Sequence, residues 1–304
     1  MISIFHRTIK DRRVRKLKKF KPGAWIDVVN PSEEENGFLR GLGIDFSFIE
    51  DALDPDELPR VEREKETVYL ILNVPQKERG KIFNVPLLVA VAKDIFLTLS
   101  QKPLEFRKEV LRHPQTFTTQ KTKNLLRICL EITNLYTKKI RQINKQINAK
   151  KVSLSKLKNQ DIAAFVELEE GLNEFITAIV AQIGVFEKIR SGKYVKIFET
   201  DEHLLEDLIT DSYQCLDMCR TSIKKIINIR EAYSAILSNN LNKTMKMLAS
   251  LAIILGVPTI IASFYGMNVR LPLQTNPLAF FYISTATFLI CLLLIIIFLL
   301  KKWL

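Results

Sequence analysis

A chain of 304 residues has room for one large domain or two, and 47% hydrophobic residues are enough to fill a sizeable core. Three histidines in unrelated contexts (His6, His113, His203), with no glycine-rich phosphate loop and no nucleophile motif, exclude the common enzyme plans. The formal charge of +12 comes without zinc-finger spacing or aromatic-interleaved RNA motifs, so it fits an anionic inner membrane leaflet rather than nucleic acid.

Residues 1–115 read as a cytosolic α/β domain. The basic cluster Arg12, Arg13, Arg15, Lys16, Lys18 and Lys19 is followed by no apolar core, so a cleavable signal is not expected. Trp25–Val29 before Pro31 predicts a strand, Thr67–Val74 a second, and Val85–Ala92 with Ile95–Leu99 a hairpin turning at Lys93-Asp94. Between them, Ser47 and Glu50 have capping-box form and predict a helix that starts at Ser47, with Asp51 in its acidic first turn and its end before Pro55.

Residues 116–246 read as helical. An antiparallel pair runs from Lys121 to Ile189 with a Lys-rich break at 150–158, and Ser191-Gly192 separates it from a proline-free stretch, Glu199–Val257. There Leu205, Ile209, Leu216, Ile223, Ile227, Leu237 and Leu241 recur at heptad-compatible steps. The stretch predicts one stalk helix of about 90 Å whose stripe needs neighbouring copies to cover it.

Two charge-free runs follow, 247–269 and 271–300, each long enough to cross a bilayer. They predict a first transmembrane helix over 247–269, an external loop over 270–277, a second helix over 278–300 and a basic tail, 301–304. Lys243 and Lys246 precede the first span and Lys301 and Lys302 follow the second, so both termini are expected in the cytoplasm of a multi-pass inner or plasma membrane protein. The first span carries Pro258, Thr259, Ser263 and Tyr265 in its outer half, whereas the second is uniformly oily; the first is therefore expected inside, against its copies, and the second against lipid. The four cysteines have no framework spacing and read as reduced thiols, with Cys215 and Cys219 on one helix face.

Tyr265-Gly266-Met267-Asn268 at the outer end of the penultimate span, with a short loop, an oily helix and terminal Lys301-Lys302-Trp303-Leu304, resembles the signature of the CorA family of magnesium transporters. Further matches are Glu50-Asp51, Pro59-Arg60-Val61-Glu62, Glu206-Asp207, and Asn242 with Met245 and Leu248. The resemblance implies an α/β cytosolic domain, a funnel of long helices and two C-terminal membrane helices assembled as a homopentamer, with the first span lining the pore. It also implies a selectivity filter at Tyr265, Gly266, Met267 and Asn268, pore or gate contacts at Asn242, Met245, Leu248 and Thr259, and a regulatory magnesium site between subunits at Asp51 and Asp207.

The filter chemistry has a physical basis. Mg²⁺ holds its water shell tightly. A ring of Asn268 amide oxygens with Gly266 carbonyls would accept hydrogen bonds from the hydrated ion and select it without stripping it. Read on residue types alone, the same string is an interfacial tyrosine and a helix end with Gly or Asn at the left-handed position. The chain also departs from the family pattern. The loop Val269–Pro277 has no acid and carries Arg270, Pro258 stands one residue nearer the signature than in some relatives, and Gly256 replaces a bulky gate residue. The expected function is passive, potential-driven Mg²⁺ uptake gated by cytosolic Mg²⁺. The alternatives are Co²⁺ or Ni²⁺ transport, zinc transport on the same fold, and a non-transporting membrane scaffold or sensor.

Overall fold

Strands buried on both faces, with side chains alternating between the two, build the first layer. The computed structural model describes residues 1–78, 81–151, 157–273 and 275–303. Its strands are β1 (Ile2–His6), β2 (Arg15–Leu17), β3 (Trp25–Val29), β4 (Arg60–Glu64), β5 (Thr67–Glu78), β6 (Lys81–Val91) and β7 (Phe96–Ser100). They form one sheet in the order β2-β1-β3-β7-β6-β5-β4. All neighbours are antiparallel except β3 and β7. The expected strand at Trp25–Val29 and the hairpin closed by Val91 opposite Phe96 are both present. Strand β5 runs four residues past its apolar core to Glu78, because its polar end still pairs its backbone with β6 down to Lys81.

Trp25, Leu70, Leu72, Leu87, Val89 and Phe96 project to one face of the sheet. Ile26, Val28, Tyr69, Ile71, Leu88, Ala90, Leu97 and Leu99 project to the other, where they meet helices α1 (Glu33–Gly41) and α2 (Phe46–Asp51). Two expectations for α2 are corrected. Its cap is Asp45, whose carboxylate accepts the Ser47 backbone N–H at 2.9 Å, and Asp51 is its last residue rather than a member of its first turn. The capping box is at α1 instead, where Ser32 Oγ accepts the Glu35 N–H and Glu35 Oε2 accepts the Ser32 N–H.

The first face is covered by α3 (Phe106–Arg112), α4 (Lys121–Lys151), α5 (Asn159–Arg190) and the start of α6 (Glu199–Tyr265). The Lys-rich break falls between α4 and α5; residues 152–156 lie outside the described residues. Gly171 lets α5 approach β6, since a Cβ there would lie 3.1 Å from Ile82 Cβ. Helix α6 packs parallel to α4, as Thr133 meets Ser212 and Asn144 Nδ2 donates to Ser222 Oγ at 2.8 Å. Cys129, Cys215 and Cys219 lie buried and free in this unit. Burial pushes the Cys129 thiol up to about 12 and Cys215 to about 11, so both pack as protonated thiols at neutral pH.

Residues Met1–Ile229 form one compact unit and Arg230–Leu304 a second. This division corrects the reading of the heptad stripe. Leu205, Ile209 and Leu216 are buried within the chain's own core, whereas Leu237 and Leu241 are exposed. Only the later part of the stripe lacks cover from its own chain.

A buried ion pair ties the sheet to α3. Arg107 Nε lies 2.9 Å from Asp27 Oδ1, Thr98 Oγ1 donates to the same carboxylate, and Trp25 Nε1 donates to Thr98. Burial raises the Asp27 pKa, against the opposing pull of Arg107 and the Thr98 hydrogen bond. Arg107→Ala therefore leaves a buried carboxylate uncompensated and is expected to cost about 3–5 kcal/mol at neutral pH. A carboxyl whose folded pKa lies above its unfolded value favours folding in the protonated form. The variant should thus regain stability as pH falls through that raised pKa, which thermal denaturation across acidic pH would measure.

Candidate functional site

In the first unit, α2 and β4 bring Asp51 beside Arg60. Nη2 of Arg60 donates to Asp51 Oδ2 at 2.7 Å, its Nε donates to Glu62 at 2.7 Å, and Nη1 contacts Glu57. Asp51 is thus half-buried and already paired with a cation, whereas Asp207 is exposed on α6. No group of three metal-ligating side chains forms within the chain among the described residues. The structure does not bring Asp51 and Asp207 into one metal cluster. Sequence reading overlooked Arg60 as the partner of Asp51. The signal was present, because an arginine that opens an edge strand nine residues after the aspartate has nowhere apolar to go.

In the second unit, the residues expected along the pore share exposed positions on α6. Met245 and Leu248 are each 59% exposed, and Asn242 and Thr259 are exposed as well. Large apolar side chains left open in this way require another surface. The Thr259 hydroxyl donates to the Leu255 carbonyl of its own helix at 3.0 Å, so it offers an oxygen rather than a proton outward. Helix α7 (Ala279–Leu300) is 22 residues long and has one buried residue, Phe298. It and α6 are both long and apolar enough to cross a membrane.

Helix α6 stops at Tyr265, so Gly266, Met267 and Asn268 follow it as an exposed turn. The Gly266 N–H still donates to Ala262 and Ser263, and Met267 to Phe264, which winds the chain tightly past the last helical residue. A Cβ on Gly266 would sit 3.3 Å from the Ala262 carbonyl oxygen, closer than ordinary contact. Neither Gly266 nor Asn268 has a positive φ, so the left-handed helix-cap reading of this string does not hold. Tyr265 Oη donates to the Pro272 carbonyl at 3.4 Å and ties the turn to the loop that follows. The result is a helix end that presents backbone oxygens and one amide side chain, with no acid nearby to bind a bare cation.

Comparison with known proteins agrees over the full length. Residues 21–302 match the model of the CorA-like Mg²⁺ transporter protein family. The cobalt/magnesium transport protein CorA of Methanocaldococcus jannaschii is 25% identical over 292 residues, covering 92% of this chain and 90% of that protein. The complete structure of that organism's CorA magnesium transporter superposes with a TM-score of 0.89 at 22% identity, covering 100% of this chain and 99% of the other. The ZntB cytoplasmic domain from Vibrio parahaemolyticus shares the fold at a TM-score of 0.64 and 8% identity, over 78% of this chain and 98% of its own. The α/β unit, the long α6 with its exposed terminal turn, the oily α7 and a family match spanning nearly the whole sequence identify the chain as a membrane-embedded member of the CorA-like Mg²⁺ transporter family.

Proposed function

We propose that the chain assembles as a homopentameric channel that admits hydrated Mg²⁺ through a ring of Tyr265-Gly266-Met267-Asn268 turns, with both termini in the cytoplasm. The observation that carries the reading is the exposed, acid-free turn at the end of a membrane-length helix, in a chain of this family. Repeated around an axis, it offers amide and carbonyl oxygens to the waters of a hexahydrated ion. The Methanocaldococcus jannaschii relative is a cobalt/magnesium transport protein, which favours Co²⁺ as a second cargo. Uptake into reconstituted vesicles with Mg²⁺, Co²⁺, Ni²⁺ and Zn²⁺ in competition tests the reading. Mg²⁺ entry blocked by hexammine cobalt, a mimic of the hydrated ion, supports it; preferred Zn²⁺ entry, or no flux, refutes it.

The exposed Met245 and Leu248 form the gate in this reading, as apolar rings narrow enough to exclude water when closed. Replacing either with Ser is expected to raise basal flux several-fold while the pentamer persists. If the two residues only pack copies together, the same change lowers the thermal stability of the oligomer and leaves flux per channel unchanged.

Asp51 of one subunit and Asp207 of the next hold the regulatory ion in this proposal. Its entry has to displace Arg60 from Asp51, which makes the site weak and suited to sensing an abundant ion.

A further inference from the structure

A proline within a helix leaves one carbonyl without its donor. Pro258 lies inside α6, so the Ile254 carbonyl four residues earlier receives no backbone N–H. Such an orphan is costly in a membrane-length apolar segment, where no bulk water can replace the lost partner. The Thr259 hydroxyl is committed to the neighbouring Leu255 carbonyl. A donor for Ile254 is found on the other helix, where the Cys291 thiol of α7 lies with Sγ 3.7 Å from the Ile254 oxygen.

The surrounding packing is loose. A cleft of about 630 Å³ lined by Pro258, Tyr265, Gly266, Thr287 and Cys291 opens between the two helices. A Cβ added at Gly256 would meet nothing within 4 Å. Within one copy this space leaves α6 room to bend where its hydrogen-bond ladder is broken. The filter turn begins about 18 Å further along the helix, so a change of about 5° at the break moves it by about 1.5 Å.

We propose that Cys291 is a positioning residue for the pore: its thiol donates to the carbonyl orphaned by Pro258 and so sets the direction in which α6 presents the Gly266-Met267-Asn268 turn. The inference rests on the channel reading for its consequence, but not for the contact itself. A thiol is a weak donor, so the effect is modest and specific rather than a matter of folding.

The test is a double-mutant cycle on the full-length protein in vesicles. Cys291→Ala is expected to lower Mg²⁺ flux about threefold, as loss of one modest hydrogen bond allows. Cys291→Ser, which keeps a donor, restores it. Pro258→Ala returns an N–H to Ile254, and in that background Cys291→Ala should change flux by less than about 1.5-fold. An equal loss in both backgrounds would mean that Cys291 acts only by filling space, and would overturn the proposal. A second readout needs no transport. The infrared S–H stretch assigned to Cys291 by difference from Cys291→Ala should lie below that of a free thiol, and a free-thiol frequency would equally overturn the inference. If the intact protein carries no ion, the channel reading fails, and the S–H band alone decides the contact.

Discussion

Asn268→Ala is expected to abolish divalent-cation flux without disturbing assembly. Asn268 stands in the exposed turn beyond the end of α6, and no acid accompanies it in the loop from Val269 to Pro277. A carboxylate there would supply a second means of attracting cations; this chain has Arg270 instead, which opposes them. In the proposed pore the ring of Asn268 amides has both to recruit and to orient the hydrated ion, and its removal would leave backbone oxygens facing an electropositive mouth. Flux per reconstituted pentamer should fall at least tenfold, while size-exclusion behaviour and thermal stability match the wild type, because Asn268 is exposed and packs against no core. Wild-type flux from an assembled Asn268→Ala protein would remove Asn268 from the filter. Arg270→Glu supplies a converse test. It should raise uptake at low external Mg²⁺, and the gain should shrink with added salt, as expected for electrostatic recruitment.

Loss of inhibition by internal Mg²⁺ is the second large effect, expected when Asp51 and Asp207 are both replaced by Asn. Two carboxylates brought together across a subunit boundary repel unless a divalent ion with its waters neutralises them, so losing the ion loosens the closed assembly. Arg60 refines this account. Its guanidinium holds Asp51 at 2.7 Å and also engages Glu57 and Glu62, so the incoming ion competes with a tethered cation. Arg60→Gln should therefore shift inhibition to lower internal Mg²⁺, whereas Asp51→Asn with Asp207→Asn should leave flux open at all internal concentrations. Unchanged inhibition in the double variant would exclude these aspartates as the sensor. An unchanged midpoint in Arg60→Gln would exclude the competition while leaving the sensor in place.

Where periodicity and turn chemistry agree, the sequence was readable to within a few residues. Strand β3, the β6–β7 hairpin, the long α6 and the oily α7 all carried such signals. The cap of α2 did not. Asp45 and Ser47 both carry side-chain oxygens two residues apart, and what decides between them is where the backbone leaves the helix, which depends on packing of Phe48 and Ile49 against the sheet. The heptad stripe of α6 shows another limit. Spacing tells that Leu205, Ile209, Leu216, Leu237 and Leu241 share a face, but not whose surface covers it. The first three pack into their own chain and the last two are left open to other copies or to partners.

The exposed turn at Gly266–Asn268 could be anticipated because the Tyr265–Asn268 string stands at the end of a membrane-length run. The contacts around the candidate sites were not. The Asp51–Arg60 pair and the Cys291 thiol near the Ile254 carbonyl join residues from different elements. Pro258 announces an orphan carbonyl in the sequence, yet nothing local says which side chain answers it.

Ions that enter passively through the proposed pore of α6 copies must respond to the membrane potential. Purified protein reconstituted in Mg²⁺-indicator vesicles is exposed to external Mg²⁺ while a potassium gradient with valinomycin sets the membrane potential. For a doubly charged ion, each 100 mV of inside-negative potential contributes about 4.6 kcal/mol of driving force. The account predicts Mg²⁺ entry that grows with inside-negative potential, stops when low-millimolar Mg²⁺ is loaded inside, and is blocked by hexammine cobalt. Vesicles that remain impermeable to Mg²⁺ at every potential, or that take it up independently of potential, would contradict it.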